Sequence, residues 1–395
     1  MLAYITRRLV YGFFTLIALS MIVFALLQAS GGGPLDRLKL NPRMQPMIEQ
    51  LTAQWGLDKP LYEQYWTWAT NYVTPCFESA GVPGCSEEVG FNNYLIPLIA
   101  IGVAIAATVV IVRFVKNNWK PMIIMLIWGA AIYVVFSNMT IAFNWGISFQ
   151  GGGPVWDMVF SRIPATLRLG FTALLMAIII GIPLGIYQAL RQYSFFDQFG
   201  TFGAFLAFST PIFVIGIGLQ LLLALYLERW TGVKLFFVAG MNSPGYGAMS
   251  TVGQIADTMS HLFLPAISIA LISLAGYSRF QRSSMLEVMH SDYLRTAKAK
   301  GLPRRRVVVK HALRNALIPV VTLVSLDIAF IIGGAIITES IFGWPGVGRL
   351  YIDAIGTIDY PVVMSIVMVI GIGIVLMNIV ADILYGVMDP RVRYD

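Results

Sequence analysis

The sequence predicts an all-α polytopic membrane protein with eight spans and both termini on the cytoplasmic side, and three observations carry that expectation. Apolar residues make up 57% of the 395 positions and charged residues only 12%, whereas a soluble domain has about a quarter of its residues charged. Many apolar runs reach the roughly 20 residues that an α-helix needs to cross a hydrocarbon core. No segment shows the strict alternation over about 10 residues that marks a membrane β-strand. Finally, the Lys and Arg residues behind the formal charge of +7 sit in short loops beside these runs. That is the positive-inside pattern of a membrane protein and not the basic stripe of a nucleic-acid binder.

The first run, 9–29, follows Arg7 and Arg8. It is longer than the apolar core of a secretory signal peptide, so segment 1–30 reads as an uncleaved first span, with cleavage after Ala29 as the alternative. Segment 31–93 is polar enough to fold outside the membrane. It holds the only two cysteines, Cys76 and Cys85, and an external compartment permits a disulfide between them; two free thiols are the alternative. Two thiols without a histidine do not make a zinc site. Runs 94–112 and 122–143 form a hairpin whose turn carries Arg113, Lys116 and Lys120. Runs 165–190, 201–227, 262–278, 316–338 and 362–385 complete the eight spans. With the N-terminus inside, 18 of the 27 Lys and Arg residues fall on the cytoplasmic side, ten of them between Arg279 and Arg314. The first external segment holds the acids Asp36, Glu49, Asp58, Glu63, Glu78, Glu87 and Glu88. Reversing the topology would place the ten-charge loop outside, against the usual bias.

That loop, 279–315, carries the most informative local pattern. Ser291 or Asp292 suits the cap of a short helix with Tyr293, Leu294, Arg295, Thr296, Ala297, Lys298, Ala299 and Lys300 as its body. Gly301 suits the left-handed residue after a helix end, Leu302 follows, and Pro303 suits the first turn of a second helix running to about Asn315. A short helix held between two spans moves both when pushed. Charge alone is explained by topology and anionic lipid, but the small Ala297 and Ala299 before a break at Gly301 allow another protein to approach closely.

Tyr293 to Leu302 resembles the cytoplasmic loop of binding-protein-dependent ABC importer permeases, specifically the dipeptide/oligopeptide/nickel permease family. The general loop pattern there is Glu-Ala-Ala, three residues, then Gly; here Arg295 replaces the Glu, as in the peptide branch. Similar stretches are Tyr4-Ile5-Thr6-Arg7-Arg8-Leu9, Gly56-Leu57-Asp58-Lys59-Pro60-Leu61, Arg162-Ile163-Pro164-Ala165-Thr166-Leu167, Glu339 through Gly348, and Asp359-Tyr360-Pro361. The resemblance implies a six-span type I importer core, with 94–143 as an inserted two-span hairpin and 144–395 as the rest of the core. It implies a coupling helix seated in a groove of an ATPase subunit, a second homologous permease, two ATPase subunits and an extracytoplasmic substrate-binding protein. It also implies a prokaryotic cell membrane, and substrates among peptides, nickel, glutathione or oligosaccharides, with di- or oligopeptides foremost.

The sequence contains no Gly-x-x-x-x-Gly-Lys-Ser/Thr stretch, so no cofactor is expected in this chain, and ATP and Mg belong to partner subunits. Asp327 lies well inside run 316–338, where an acid costs a few kcal/mol and faces a partner, a cavity or the permeation route. A hydrogen bond to Ser325 or Thr322 is weighed evenly with pathway lining. Asp382 is expected at the headgroup level. Glu339, Asp353 and Asp359 either contact the binding protein or solvate their loop. Pro183, Pro211 and Pro265 kink or start helices. An ion-coupled transporter would need more intramembrane ionisable groups and repeated halves. A membrane enzyme would need a motif that His261, His290 and His311 do not form.

Overall fold

The computed structural model describes residues 2–29, 35, 45–73, 101–108, 111, 123–124, 127–131, 143–332 and 335–388. These residues are helical apart from turns and one isolated bridge, Ile147 to Pro154. Three helices precede the insertion: α1 (Leu2–Ala29), α2 (Gln45–Trp55) and α3 (Leu61–Val73). The core then runs α4 (Val155–Phe160), α5 (Ile163–Leu190), α6 (Phe195–Ser209), α7 (Ile212–Thr231), α8 (Thr251–Met289), α9 (Asp292–Ala299), α10 (Val307–Ala316), α11 (Ile318–Ile332), α12 (Ile336–Ile341), α13 (Val347–Thr357) and α14 (Tyr360–Met388).

Five helices among the described residues are long and apolar enough to cross a membrane, and the bent pair α10–α11 makes a sixth. Each falls on one of six predicted runs. The other two runs, in 94–143, and both cysteines, Cys76 and Cys85, lie largely or wholly outside the described residues, although 101–108 and 127–131 are helical.

Local chemistry sets the helix ends, and here three expectations need correction. Run 201–227 is not one helix. Ser194 caps α6 by accepting from the Asp197 N–H, but Thr210 is extended (φ −89°, ψ 126°), because the ring of Pro211 crowds the α conformation of the residue before it. The span is α7, with a π-helical stretch at Gln220–Tyr226. Run 262–278 is the middle of α8, a helix of 39 residues capped by Ser250; hydropathy falls at both ends while the helix continues. Run 316–338 bends by 49° between α10 and α11, and Thr338 belongs to the separate α12.

The packing orders the bundle. Backbones of α5 and α8 approach at Gly181, beside Leu274, and at Gly185, beside Ser278 and Gln281, so the two run parallel. Helices α1 and α14 run antiparallel instead, Gly12 against Val375 and Gly371 against Leu16, and Arg8 Nε pairs with Asp382 Oδ2 at 3.0 Å. Asp382 therefore meets a cation of the first helix in addition to whatever surrounds the bundle. The start of α1, the end of α14 and helix α9 thus share one end of the bundle, called here the basic end. The opposite end carries α2 to α4, α12 and α13. There the insertion is closed at its base: the Trp145 ring stacks on Tyr72 at 4.5 Å and its Nε1 donates to the Tyr72 carbonyl at 3.1 Å.

Candidate functional site

At the basic end, α8 passes through His290 and Ser291 into α9. The Ser291 carbonyl accepts from the N–H groups of Leu294 and Arg295 at 3.1 and 3.3 Å, but its hydroxyl donates backwards to Val288, so Ser291 does not cap with its side chain. Leu294 (1% exposed) and Ala297 (8% exposed) pack into the core with Val307, Ala312 and Leu313. Tyr293, Arg295, Thr296, Ala299, Lys300 and Gly301 are exposed, Leu302 is half-buried, and the Lys298 side chain lies outside the described residues. Ala297 therefore faces the chain's own core, and of the two alanines only Ala299 lies on the open face. Tyr293 Oη accepts from Asn315 Nδ2 at 2.7 Å, bracing α9 against α10. Gly301 has φ +72°, and a Cβ there would meet nothing within 4 Å; backbone conformation, not space, explains the glycine. The second helix of the expected pair begins at Arg304 but is π-helical over Val307–Ala312.

Two turns above α9, the structure holds an ion pair that sequence reasoning missed. Arg282 donates from Nε and Nη2 to the two oxygens of Asp197, at 2.7 and 2.8 Å. The Tyr193 N–H adds a third bond at 2.9 Å. Asp197 is 3% exposed, and its hydrogen bonds to Arg282 hold the carboxyl below the usual carboxylate range. The planar fork joins the start of α6 to α8, and the Arg279 guanidinium lies 5.6 and 5.4 Å from the rings of Phe205 and Phe208. The only sequence signal was the spacing of Ser194 and Asp197 at a helix start.

Within the bundle, Asp327 accepts from Tyr277 Oη at 2.6 Å. Neither anticipated partner is involved, because Ser325 and Thr322 bond to the carbonyls of Val321 and Ile318, the usual recourse of a helical hydroxyl. Asp327 lines a cavity of about 240 Å³ with Thr166, Ser273, Leu174, Ile269 and Ile331.

At the opposite end, Glu339 and Asp359 are internal and not loop-solvating acids. Glu339 is 0% exposed and accepts from Thr166 Oγ1 at 2.9 Å and from the Arg349 N–H at 3.0 Å. Burial pushes its carboxyl above the ordinary range, and N–H groups at the start of α13 pull it back. Thr166 in turn accepts from the Val347 N–H at 2.8 Å, and Trp344, fully buried, donates from Nε1 to the Ala165 carbonyl at 2.9 Å. A Cβ on Gly346 would fall 2.3 Å from the Glu339 carboxylate. The stretches Arg162–Leu167 and Glu339–Gly348 therefore form one polar knot. Asp359 accepts from Ser148 Oγ and from the Phe149 N–H, and Asp353 alone of the three acids is exposed, 4.0 Å from Arg349. Among the described residues, Tyr193 and Ile358 are the non-glycine residues with positive φ, and each sits beside a buried aspartate whose bonds offset local strain of about 1–3 kcal/mol. A larger cavity of about 430 Å³ lies under the Gly56 turn, lined by Trp55, Trp145, Phe149 and Tyr360. Among the described residues no cluster of His, Cys, Asp or Glu is placed to hold a metal ion.

The chain is similar to known proteins along its whole length. Residues 181–394 match the model of the family described as binding-protein-dependent transport system inner membrane component. Residues 1–87 match the N-terminal model of binding-protein-dependent transport system membrane components. The chain is 34% identical over 405 residues to the dipeptide transport system permease protein DppB of Escherichia coli strain K12, covering 100% of this chain and 99% of the relative. It is 32% identical over 395 residues to the oligopeptide transport system permease protein AppB of Bacillus subtilis, covering 100% of both. Identity to the di/tripeptide transport system permease protein DppB of Pseudomonas aeruginosa is 33% over 403 residues, covering 100% of this chain and 99% of the relative.

Proposed function

The chain belongs to the family of binding-protein-dependent transport system inner membrane components, and from that premise we propose that it is the permease subunit of an ATP-driven importer of di- or oligopeptides. It is a multi-pass protein of the cell membrane. The observation that carries the reading is likeness along the whole chain to permeases named for dipeptides, di/tripeptides and oligopeptides. The sequence has no phosphate-binding loop, and in this reading ATP and Mg belong to two partner ATPase subunits. The basic end lies in the cytoplasm with both termini, a reading that the distribution of Lys and Arg supports, and the opposite end meets a substrate-binding protein. A second, homologous permease supplies the other wall of the path.

In this reading the residues Tyr293–Leu302 form the coupling element. Closure of the ATPases on ATP pushes the exposed face of α9, and Leu294 and Ala297 pass that push to α10. The fork Arg282–Asp197 passes the movement of α8 to α6, and so across the break at Pro211 to α7. Asp327 stands on the path between the two ends. The inserted hairpin 94–143, most of which lies outside the described residues, is read as a peripheral element facing lipid, with contact to another subunit as the alternative.

Reconstitution tests the proposal. With its partner permease, ATPases and binding protein in proteoliposomes, the chain is expected to support uptake of a labelled dipeptide that requires both ATP and the binding protein. Uptake that persists after the ATPase subunits are omitted would overturn it in favour of ion-coupled transport.

A further inference from the structure

Asp327 is only half partnered by its surroundings. One oxygen, Oδ2, receives the Tyr277 hydroxyl. The other, Oδ1, has no hydrogen-bond donor among the described residues, and no Lys, Arg or His among them lies within ion-pair distance of it. A carboxylate in the interior of an apolar bundle costs a few kcal/mol, and a phenolic hydroxyl supplies one bond toward it but no charge. Tyr277 is itself buried, so it holds the carboxylate in one orientation.

The free oxygen belongs to a residue that lines a cavity, and the cavity walls narrow the choice of ligand. Besides Asp327, the side-chain oxygens there are Ser273 and Thr166. Thr166 is already committed, donating to Glu339 and accepting from Val347. Leu169, Leu174, Ile269 and Ile331 make up much of the rest. A hard metal cation needs six or more oxygen ligands, or several retained waters, which this set does not supply. An ammonium group needs acceptors for three N–H bonds, and one carboxylate oxygen with the Ser273 hydroxyl supplies two of them against an apolar wall. The volume of about 240 Å³ falls below the roughly 300–1,000 Å³ of pockets that enclose a whole small molecule. It takes one end of a substrate.

We propose that Asp327, oriented by Tyr277, is the subsite that receives the α-ammonium group of a peptide in transit. The proposal rests on the peptide-importer reading above. A single carboxylate with one fixed neutral partner attracts the ammonium without trapping it, as passage requires.

The test uses the full complex in proteoliposomes, with a dipeptide bearing a free amino terminus as the probe. Asp327→Asn keeps the shape and the bond from Tyr277 but removes the charge. It is expected to lower uptake by about tenfold or more, the scale of losing one partner of a buried charge pair. ATP hydrolysis stimulated by the loaded binding protein should stay within about twofold of the parent, because in this reading the stimulation passes through Tyr293–Leu302 and not through Asp327. Asp327→Glu should recover much of the loss. Tyr277→Phe, which leaves the charge and removes only its orienting bond, should lower uptake by a smaller factor. Uptake by Asp327→Asn within about twofold of the parent would overturn the subsite. So would a uniform loss of assembly in Asp327→Asn, Asp327→Glu and Tyr277→Phe, since that is the mark of a packing role. A parent complex that hydrolyses ATP in response to the loaded binding protein yet moves no peptide would instead strike the importer reading itself.

Discussion

The loop around α9 and the knot around Glu339 both carry a charged residue, an aromatic and a glycine within ten positions, yet they are built in opposite ways. At the basic end the charges point outward, and a Cβ on Gly301 would meet open space. At the opposite end the acid is sealed, and a Cβ on Gly346 would collide with it. One glycine permits a backbone turn and the other permits contact. The same grade of sequence motif can thus serve a surface that another protein touches or an interior that nothing touches. The fork Arg282–Asp197 is a third case, placed beside the coupling loop but packed like the knot.

Four substitutions sharpen this contrast, ordered by their expected effect on the stability of the permease. Gly346→Ala should destabilise most, by about 3 kcal/mol or more, because it both overpacks the knot and displaces a buried carboxylate from its donors. Thermal unfolding followed by size-exclusion chromatography would read it as a large loss of intact protein. Asp197→Asn should come next, at about 2–3 kcal/mol, since it leaves a largely buried guanidinium without its counter-charge. Exchanging the two residues (Asp197→Arg with Arg282→Asp) should restore part of that loss, whereas a double exchange no better than the single variant would deny the pairing. Gly301→Ala should cost only about 1–2 kcal/mol of left-handed strain but should lower ATP-driven uptake severalfold. Uptake unchanged in that variant would remove the turn from the coupling path. Arg295→Ala breaks an exposed pair 3.5 Å long and should change stability by less than about 0.5 kcal/mol, so any effect it has should appear in co-purification of the ATPase subunits. Stability effects thus fall along this series as the effect on docking rises.

Hydropathy alone located the six helical spans of the described core, because burial in lipid imposes a run of about 20 apolar residues on every crossing. The left-handed Gly301 was legible for a similarly local reason: a glycine between a polar helix and a proline has few other uses. What stayed hidden was non-local or uncoupled from hydropathy. Phenylalanines and leucines continue through Thr210 and Pro211, so hydropathy passes over a break that Pro211 alone signals. Tyr277 and Asp327 are 50 positions apart, and Ser148 and Asp359 are 211 apart; no periodicity relates such residues. The acids of the last external segment were misjudged because exposure is the usual state of a lone Glu or Asp, and only the convergence of Thr166, Arg349 and two close glycines makes burial tolerable at Glu339.

The stacked rings of Tyr72 and Trp145 have a consequence for the history and reuse of this chain. They bring together two points 73 positions apart, so the frame is clasped where the insertion begins and ends. Loop closure grows so slowly with length, about 0.6 kcal/mol per doubling, that such a clasp admits cassettes of very different sizes at nearly constant cost to the frame. A shortened graft that joins residue 74 to residue 143 through a few glycines would remove Ile124 from the core and Gly129 from beside Phe171, so it tests how much of the frame the clasp holds alone. A reporter domain spliced in at the same position should ride on the transporter without disturbing it.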